Sequence, residues 1–104
     1  MFNITFETIT PESAENGEAE ETGFLDENLT FREAMDAMRW HMGTHVEADS
    51  YPISRSNPPR WFTFYGETDY RTGETQNVSL HLPDNLTPST KLRIARFVGC
   101  KVKA

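Results

Sequence analysis

The chain has 104 residues, of which 37% are hydrophobic and 12% aromatic, and its formal net charge is −6. This length is typical of a single domain, and the aromatic content argues against a disordered chain. The negative charge disfavours binding of nucleic acid through bulk electrostatics. Cys100 is the only cysteine, and no basic, apolar leader begins the chain, so we expect a cytoplasmic protein without a disulfide or a membrane span.

The first predicted element is a strand in residues 2–10. Phe2, Ile4 and Phe6 alternate with polar residues, and this period of two is typical of a half-buried strand. Pro11 ends it, because proline lacks the backbone N–H that a strand needs.

Residues 11–29 are predicted to form an acidic loop, with a short helical turn near Ser13. Phe24 and Leu25 are expected to turn inward and anchor it. The segment holds seven carboxylates and no lysine or arginine: Glu12, Glu15, Glu18, Glu20, Glu21, Asp26 and Glu27. Such carboxylates attract a Lys/Arg-lined groove on a partner. Alternatively, they form a solvated loop, or they pair with the basic C-terminal helix of the same chain.

A helix is predicted in residues 31–42. Thr30 and Glu33 have the spacing of a capping box, and Gly43 stands where a C-terminal glycine belongs. Apolar residues recur at helical spacing, and we expect them to face the core rather than to form an adaptable binding surface: Phe31, Ala34, Met35, Met38 and Met42.

Residues 44–60 are predicted to be largely irregular, with a possible short strand at Val46. A hairpin follows in residues 61–82, with arms 61–70 and 75–82. Alternation places Phe62 and Phe64 on one face of the first arm, and Trp61 and Tyr65 on the other. We expect the two phenylalanines to be buried, which makes the exposure of Trp61 the informative observation.

The last predicted element is a helix in residues 88–98. Thr87-Pro88 provides a cap followed by proline at the first helical position, and Gly99 ends the helix. The buried stripe is either Leu92, Ala95 and Val98, or Ile94 and Phe97. The chain is therefore expected to be one α+β domain, residues 1–104: a small antiparallel sheet with a C-terminal-half hairpin, packed by one or two helices.

Two further sets of residues are candidates for nucleic-acid binding and for metal binding. Arg55, Arg60, Trp61 and Tyr65 combine cations with rings, as single-strand nucleic-acid binders do, although the rings also suit a core strand. His41 and His45 lie four apart, but no ligand set at a metal-binding spacing accompanies them.

No catalytic constellation and no glycine-rich phosphate loop occurs in the sequence. We therefore expect a protein that is not an enzyme and needs no metal or cofactor. A small metal-dependent enzyme is the least favoured alternative.

Four motifs are similar to those of a family of small uncharacterised proteins encoded by tailed bacteriophages and prophages. They are Thr10-Pro11-Glu12-Ser13-Ala14-Glu15 with Gly23-Phe24, Pro58-Pro59-Arg60-Trp61-Phe62, Asp69-Tyr70-x-Thr72-Gly73-Glu74 and Ser79-Leu80-His81-Leu82. The resemblance implies a bacterial host cytoplasm as the setting. By analogy with other small acidic phage proteins, it implies an accessory protein that inhibits or modulates a host factor, a protein or a ribonucleoprotein such as a CRISPR or other defence complex.

Overall fold

The structure is a computed structural model that describes residues 1–41, 45–48 and 52–102. These residues form three helices and five strands in an α+β arrangement, as predicted. In chain order the elements are β1 (Phe2–Ile9), α1 (Pro11–Glu15), β2 (Glu21–Leu29), α2 (Phe31–His41), β3 (His45–Ala48), β4 (Trp61–Tyr65), β5 (Thr75–His81) and α3 (Pro88–Val98).

The five strands make one antiparallel sheet in the order β2-β1-β5-β4-β3. The predicted hairpin corresponds to β4 and β5, which pair with Trp61 opposite His81 and Phe64 opposite Val78. Its first arm is shorter than expected, because β4 ends at Tyr65 rather than at residue 70. The possible strand at Val46 is β3, which forms the edge beside β4.

One face of the sheet is buried under α2 and α3. Alternate residues of β1, β4 and β5 point to this face, and the helices cover them with short and flexible side chains. The buried cluster contains Phe2, Ile4, Phe62, Phe64, Val78, Leu80 and Leu82 from the sheet side, Ala34, Met35 and Met38 from α2, and Ile94, Ala95 and Val98 from α3. The prediction that Phe62 and Phe64 are core residues is confirmed.

Both helices begin at the caps that the sequence indicates. The Thr30 Oγ1 accepts a hydrogen bond from the Glu33 N–H at 3.2 Å, and the Glu33 carboxylate accepts one from the Thr30 N–H at 3.0 Å. In α3, Thr87 caps the first turn, and Gly99 ends the helix in the left-handed region at φ 99°. The described part of α2 ends at His41, so Met42 and Gly43, the predicted end, lie outside the described residues.

Two predicted helix faces need correction. Phe31 was expected in the buried stripe of α2, but its side chain is 52% exposed, and its ring meets the edge of the Phe2 ring at 5.9 Å. In α3, Leu92, Ile94, Ala95 and Val98 are buried, whereas Phe97 is 59% exposed. Both exposed rings line a groove of about 920 Å³ between the two helices.

The predicted acidic loop is wrong for most of its length. Residues 11–15 form α1, and residues 21–29 form β2, an edge strand that pairs with β1. Phe24 and Leu25 do not turn inward: they are 60% and 38% exposed. The reason is that β2 is an edge strand whose register shifts at this point, and Phe24 lies beside Thr5 and His81 on the side of the sheet that α2 and α3 leave uncovered.

Candidate functional site: the acidic edge and the open face

We call residues 11–29 the acidic edge, because they carry the seven carboxylates and end in the outermost strand of the sheet. β2 pairs with β1 on one side, and no other strand of the described residues pairs with it. The backbone N–H and C=O groups on its outer side are therefore unused by the sheet. Such an edge can accept a strand from another chain, and charged side chains on it discourage indiscriminate pairing.

A tight local structure carries the chain from β1 into this edge. Thr10 and Ser13 cap α1 reciprocally: the Ser13 N–H donates to Thr10 Oγ1 at 3.1 Å, and the Thr10 N–H donates to Ser13 Oγ at 2.8 Å. The Thr10 hydroxyl also donates to the Glu20 carboxylate at 2.8 Å. These bonds hold the acidic residues on a defined scaffold rather than on a loose loop.

Phe24 and Leu25 lie at an irregularity in the middle of β2. The register between β1 and β2 shifts here, since Thr5 faces Phe24 whereas Ile4 faces Asp26. The extra residue in β2 interrupts the strand's alternation, which is characteristic of a β-bulge. As a result, two large apolar side chains are exposed side by side between the carboxylates of Glu21 and Glu27.

The carboxylates of the acidic edge are not neutralised by the basic C-terminal helix. Within the described residues, their one ion pair is between Asp26 and His41, at 3.9 Å, and none involves a lysine or an arginine. α3 ends instead beside β3, the opposite edge strand, where Gly99 approaches Val46. The described structure therefore provides no internal pairing that would account for the charge of this edge.

We call the uncovered side of the sheet the open face. Both α2 and α3 pack against the other side, so no described helix covers it. Its central side chains are polar or aromatic and come from β1, β4 and β5: Thr5, Thr63, Ser79, Trp61, Tyr65 and His81. Trp61 is half-buried and Tyr65 is exposed.

Hydrogen bonds between neighbouring strands tie the open face together. Thr5 Oγ1 lies 2.8 Å from His81 Nε2, and the hydroxyls of Thr63 and Ser79 lie 3.0 Å apart. Burial lowers the pKa of His81, so the neutral imidazole is favoured in the folded protein. The uncharged form of His81 is thus held in a hydrogen-bonded part of the open face.

The predicted Arg/aromatic set does not form one surface. The Arg60 guanidinium lies over the Trp61 ring at 5.5 Å, and the Trp61 ring lies 6.3 Å from that of His81. Arg55, however, lines a separate depression with Arg93 and Arg96 of α3. The four residues are thus divided between the two sides of the sheet.

Tyr65 lies in a negative part of the open face. Its pKa is raised, first by burial and then by the carboxylates of Glu47 and Glu7. The same carboxylates would repel the phosphates of a strand stacked on Tyr65. This arrangement weakens the alternative of nucleic-acid binding through Arg60, Trp61 and Tyr65.

The open face and the acidic edge meet at a shallow depression of about 320 Å³. Phe24 forms one wall, and Thr5, Ser79 and His81 line the side towards the middle of the sheet. Gly23 opens this region, because a Cβ at that position would lie 2.9 Å from Cε1 of Phe6. This depression thus combines an exposed phenylalanine with hydroxyls, an imidazole and the Glu7 carboxylate.

The groups considered for metal or nucleophilic chemistry are separated. His41 faces Asp26 of β2, whereas His45 of β3 contacts Glu47 at 3.2 Å. Among the residues that the structure describes, no cluster of three or more His, Cys, Asp or Glu could hold a metal ion. Burial raises the pKa of Cys100 to about 11, which keeps its thiol protonated.

Sequence reasoning identified the carboxylates of the edge but missed its apolar centre. Phe24-Leu25 stands between acidic residues in the sequence, which is itself a signal of an exposed apolar pair. Sequence reasoning also missed the grouping of Arg55 with Arg93 and Arg96, because no local pattern connects segments so far apart in the chain.

Comparison of the chain with protein-family models, with curated proteins and with solved structures gives no match. In the described ranges, none of the helices has the length and apolar character needed to cross a bilayer.

Proposed function

We propose that this protein is a non-enzymatic binding protein whose acidic edge docks on a basic surface of a macromolecule. Following the family resemblance, the partner is a host protein or ribonucleoprotein of a bacterium, such as a CRISPR or other defence complex, which the protein inhibits or modulates. The observation that carries the proposal is the exposed Phe24-Leu25 pair on a strand edge that no described strand pairs with, surrounded by carboxylates that have no lysine or arginine partner among the described residues.

This arrangement has the anatomy of a protein interface. Apolar side chains at the centre supply most of the affinity, and a charged rim provides specificity. Burying the exposed part of Phe24 would stabilise a complex by about 1–2 kcal/mol. The free edge of β2 adds backbone hydrogen bonds if the partner contributes a strand. The carboxylates then select a partner rich in lysine and arginine.

The test is capture of partners from a bacterial host lysate with matched variants. Phe24→Ser should abolish or strongly reduce capture, whereas Phe97→Ser should not, because the two rings are equally exposed but Phe97 lies on α3. The triple change Glu18, Glu20 and Glu21→Lys should also abolish capture.

A second triple change, Glu47, Glu67 and Asp84→Lys, alters the net charge by the same amount at exposed positions outside the acidic edge, with Glu47 on the opposite edge strand β3. It should retain the partner. If both triple variants, or both phenylalanine variants, capture the same proteins at the same salt concentration as the wild type, the acidic edge is not the interface. Recovery of nucleic acid alone would support the nucleic-acid alternative and contradict the proposal.

A further inference from the structure

A second concave site lies on the side of the molecule that carries α3. It is a depression of about 490 Å³ between α3 and the turn formed by residues 54–57. Among the described residues it is lined by Ser54, Arg55, Ser56, Ser89, Leu92, Arg93 and Arg96. Three arginines and three serines therefore line one depression, together with Leu92, and the hydroxyls of Ser54 and Ser56 lie 3.1 Å apart.

Hydrogen bonds and a buried neighbour hold the turn that presents Arg55. Ser54 and Asn57 exchange backbone hydrogen bonds of 3.2 and 3.1 Å, which closes a two-residue turn with Arg55 and Ser56 at its tip. The Asn57 side-chain amide donates to the Pro52 carbonyl at 3.1 Å, and Ile53 beside the turn is fully buried. Arg55 thus lies at the tip of a hydrogen-bonded turn that lines the depression.

The opposite wall is a single stripe of α3. Ser89, Arg93 and Arg96 are separated by four and three residues, so they lie on the same side of the helix. Buried Leu92 lies between them and fixes this side against the protein. The two walls come from distant parts of the chain, yet both present arginine and serine.

Among the residues that the structure describes, no acidic residue lines the depression. Within the described residues, no carboxylate lies within 4 Å of the guanidinium groups of Arg55, Arg93 or Arg96. In a chain with 16 acidic residues and 10 lysines and arginines, three arginines in one depression without a carboxylate partner among the described residues are unexpected on composition alone. An anion would relieve the mutual repulsion of these like charges.

We propose that this depression binds the phosphate group of a small phosphorylated molecule, such as a nucleotide or a sugar phosphate. The planar guanidinium donates two parallel hydrogen bonds to phosphate oxygens, and serine hydroxyls complete the donor set. The volume falls within the range of small-molecule sites, roughly 300–1,000 Å³. A concave site on an acidic protein suits a compact ligand better than an extended polyanion. The inference does not depend on the acidic edge.

The test is titration at low ionic strength with inorganic phosphate, a nucleoside 5′-diphosphate and the unphosphorylated nucleoside, followed by amide NMR shifts. The phosphate-bearing probes should bind saturably and shift the signals of Ser54–Asn57 and of the first turns of α3. The nucleoside should not bind. Binding of inorganic phosphate but not of the diphosphate would identify free phosphate as the ligand and contradict the proposal. Much tighter binding of the diphosphate would identify a phosphorylated small molecule.

Variants localise the binding. Arg55→Gln and Arg93→Gln should each weaken the diphosphate by about tenfold or more, since each removes a charge-assisted hydrogen bond. Arg71→Gln removes an equal charge from the exposed 66–74 connection and should change nothing. All three positions are exposed, so a far-ultraviolet circular dichroism spectrum should show unaltered folding.

Absence of saturable binding to the wild type, or equal effects of Arg55→Gln and Arg71→Gln, would overturn the proposal. Tighter binding of a single-stranded oligonucleotide than of the diphosphate, with a steep salt dependence, would assign the arginines to a nucleic-acid surface instead. Loss of partner capture through the acidic edge leaves this result unaffected, so the two proposals fail separately.

Discussion

Gly66 provides a sharp test of how the end of β4 is built. A Cβ added at this position would overlap the backbone carbonyl oxygen of Gln76 in β5. The Gly66 N–H also donates to Asn77 Oδ1 at 3.2 Å, and the Asn77 amide in turn donates to the Glu7 carboxylate at 3.0 Å. One glycine therefore permits a close approach on which a chain of hydrogen bonds across three strand segments depends.

The expected effect of Gly66→Ala follows from these contacts. Since an ordinary carbon–oxygen contact is about 3.3 Å, the backbone at residue 66 and the carbonyl of Gln76 must move apart by roughly 1 Å to accommodate the added Cβ. Strain from overpacking costs about 1–3 kcal/mol, and loss of the hydrogen bond to buried Asn77 adds about 1 kcal/mol. We expect a loss of about 2–4 kcal/mol, a large share of the 5–15 kcal/mol that is usual for a domain.

Gly17→Ala is the matched control. Gly17 has φ 71°, so alanine there is strained, but no atom lies within 4 Å of its added Cβ. Its expected cost is about 1 kcal/mol, from backbone conformation alone. Urea unfolding followed by tryptophan fluorescence measures both variants. If Gly66→Ala is no less stable than Gly17→Ala, the close approach to Gln76 does not determine the fold of this segment.

Three other measurements probe the ionisable groups and the helix caps. Burial lowers the pKa of His81, so the unfolded chain binds more protons than the folded protein near that pKa. The melting temperature should therefore fall as pH is lowered from about 6.5. His81→Gln should flatten this pH dependence, and an unchanged slope in the variant would contradict the assignment. Burial raises the pKa of Cys100 from 9.0 to about 11, so less of the thiol is ionised at pH 8 in the folded protein than in urea. A more basic thiolate is also more nucleophilic, and with this allowance alkylation of the folded protein should be about tenfold or more slower. Equal rates would show an accessible, unshifted thiol. Thr87→Ala removes the hydroxyl that accepts a hydrogen bond from the Thr90 N–H, and it should reduce the free energy of unfolding by about 1 kcal/mol. Ser89→Ala is the control and should have little effect. Equal losses in the two variants would refute the assigned cap.

The helices could be predicted closely because their signals are local. α3 runs from Pro88 to Val98 as expected, since Thr87 and Gly99 determine its ends through contacts within a few residues. The buried side of β4 could be predicted for the same reason: alternation along Phe62 and Phe64 needs no knowledge of the partner strand.

β2 could not be predicted, because its strand character comes from its neighbour. Most of its side chains are exposed, so the sequence lacks an apolar period, and the register shift beside Phe24 removes what alternation remains. Pairing with β1, a tertiary interaction, overrides the low strand propensity of Gly23, Asp26 and Glu27.

The candidate sites also combine features that are evident in the local sequence with features that depend on tertiary contacts. The carboxylates of the acidic edge are evident in the sequence, but the exposure of Phe24 depends on which side of the sheet the helices cover. The depression at Arg55 depends on α3 packing beside the 54–57 turn, a contact between segments more than thirty residues apart. Neither could be derived from local patterns.

The separation of charge described above makes the folded molecule an electric dipole. Residues 1–31 hold eight acidic residues and no lysine or arginine, whereas residues 88–104 hold five lysines and arginines and no acidic residue. Within the described residues the fold keeps these two segments apart, with β2 at one edge of the sheet and the end of α3 beside the other. In the field of a charged partner the protein would rotate before contact, so its edge would arrive already oriented. Raising the ionic strength should then slow association far more than it speeds dissociation.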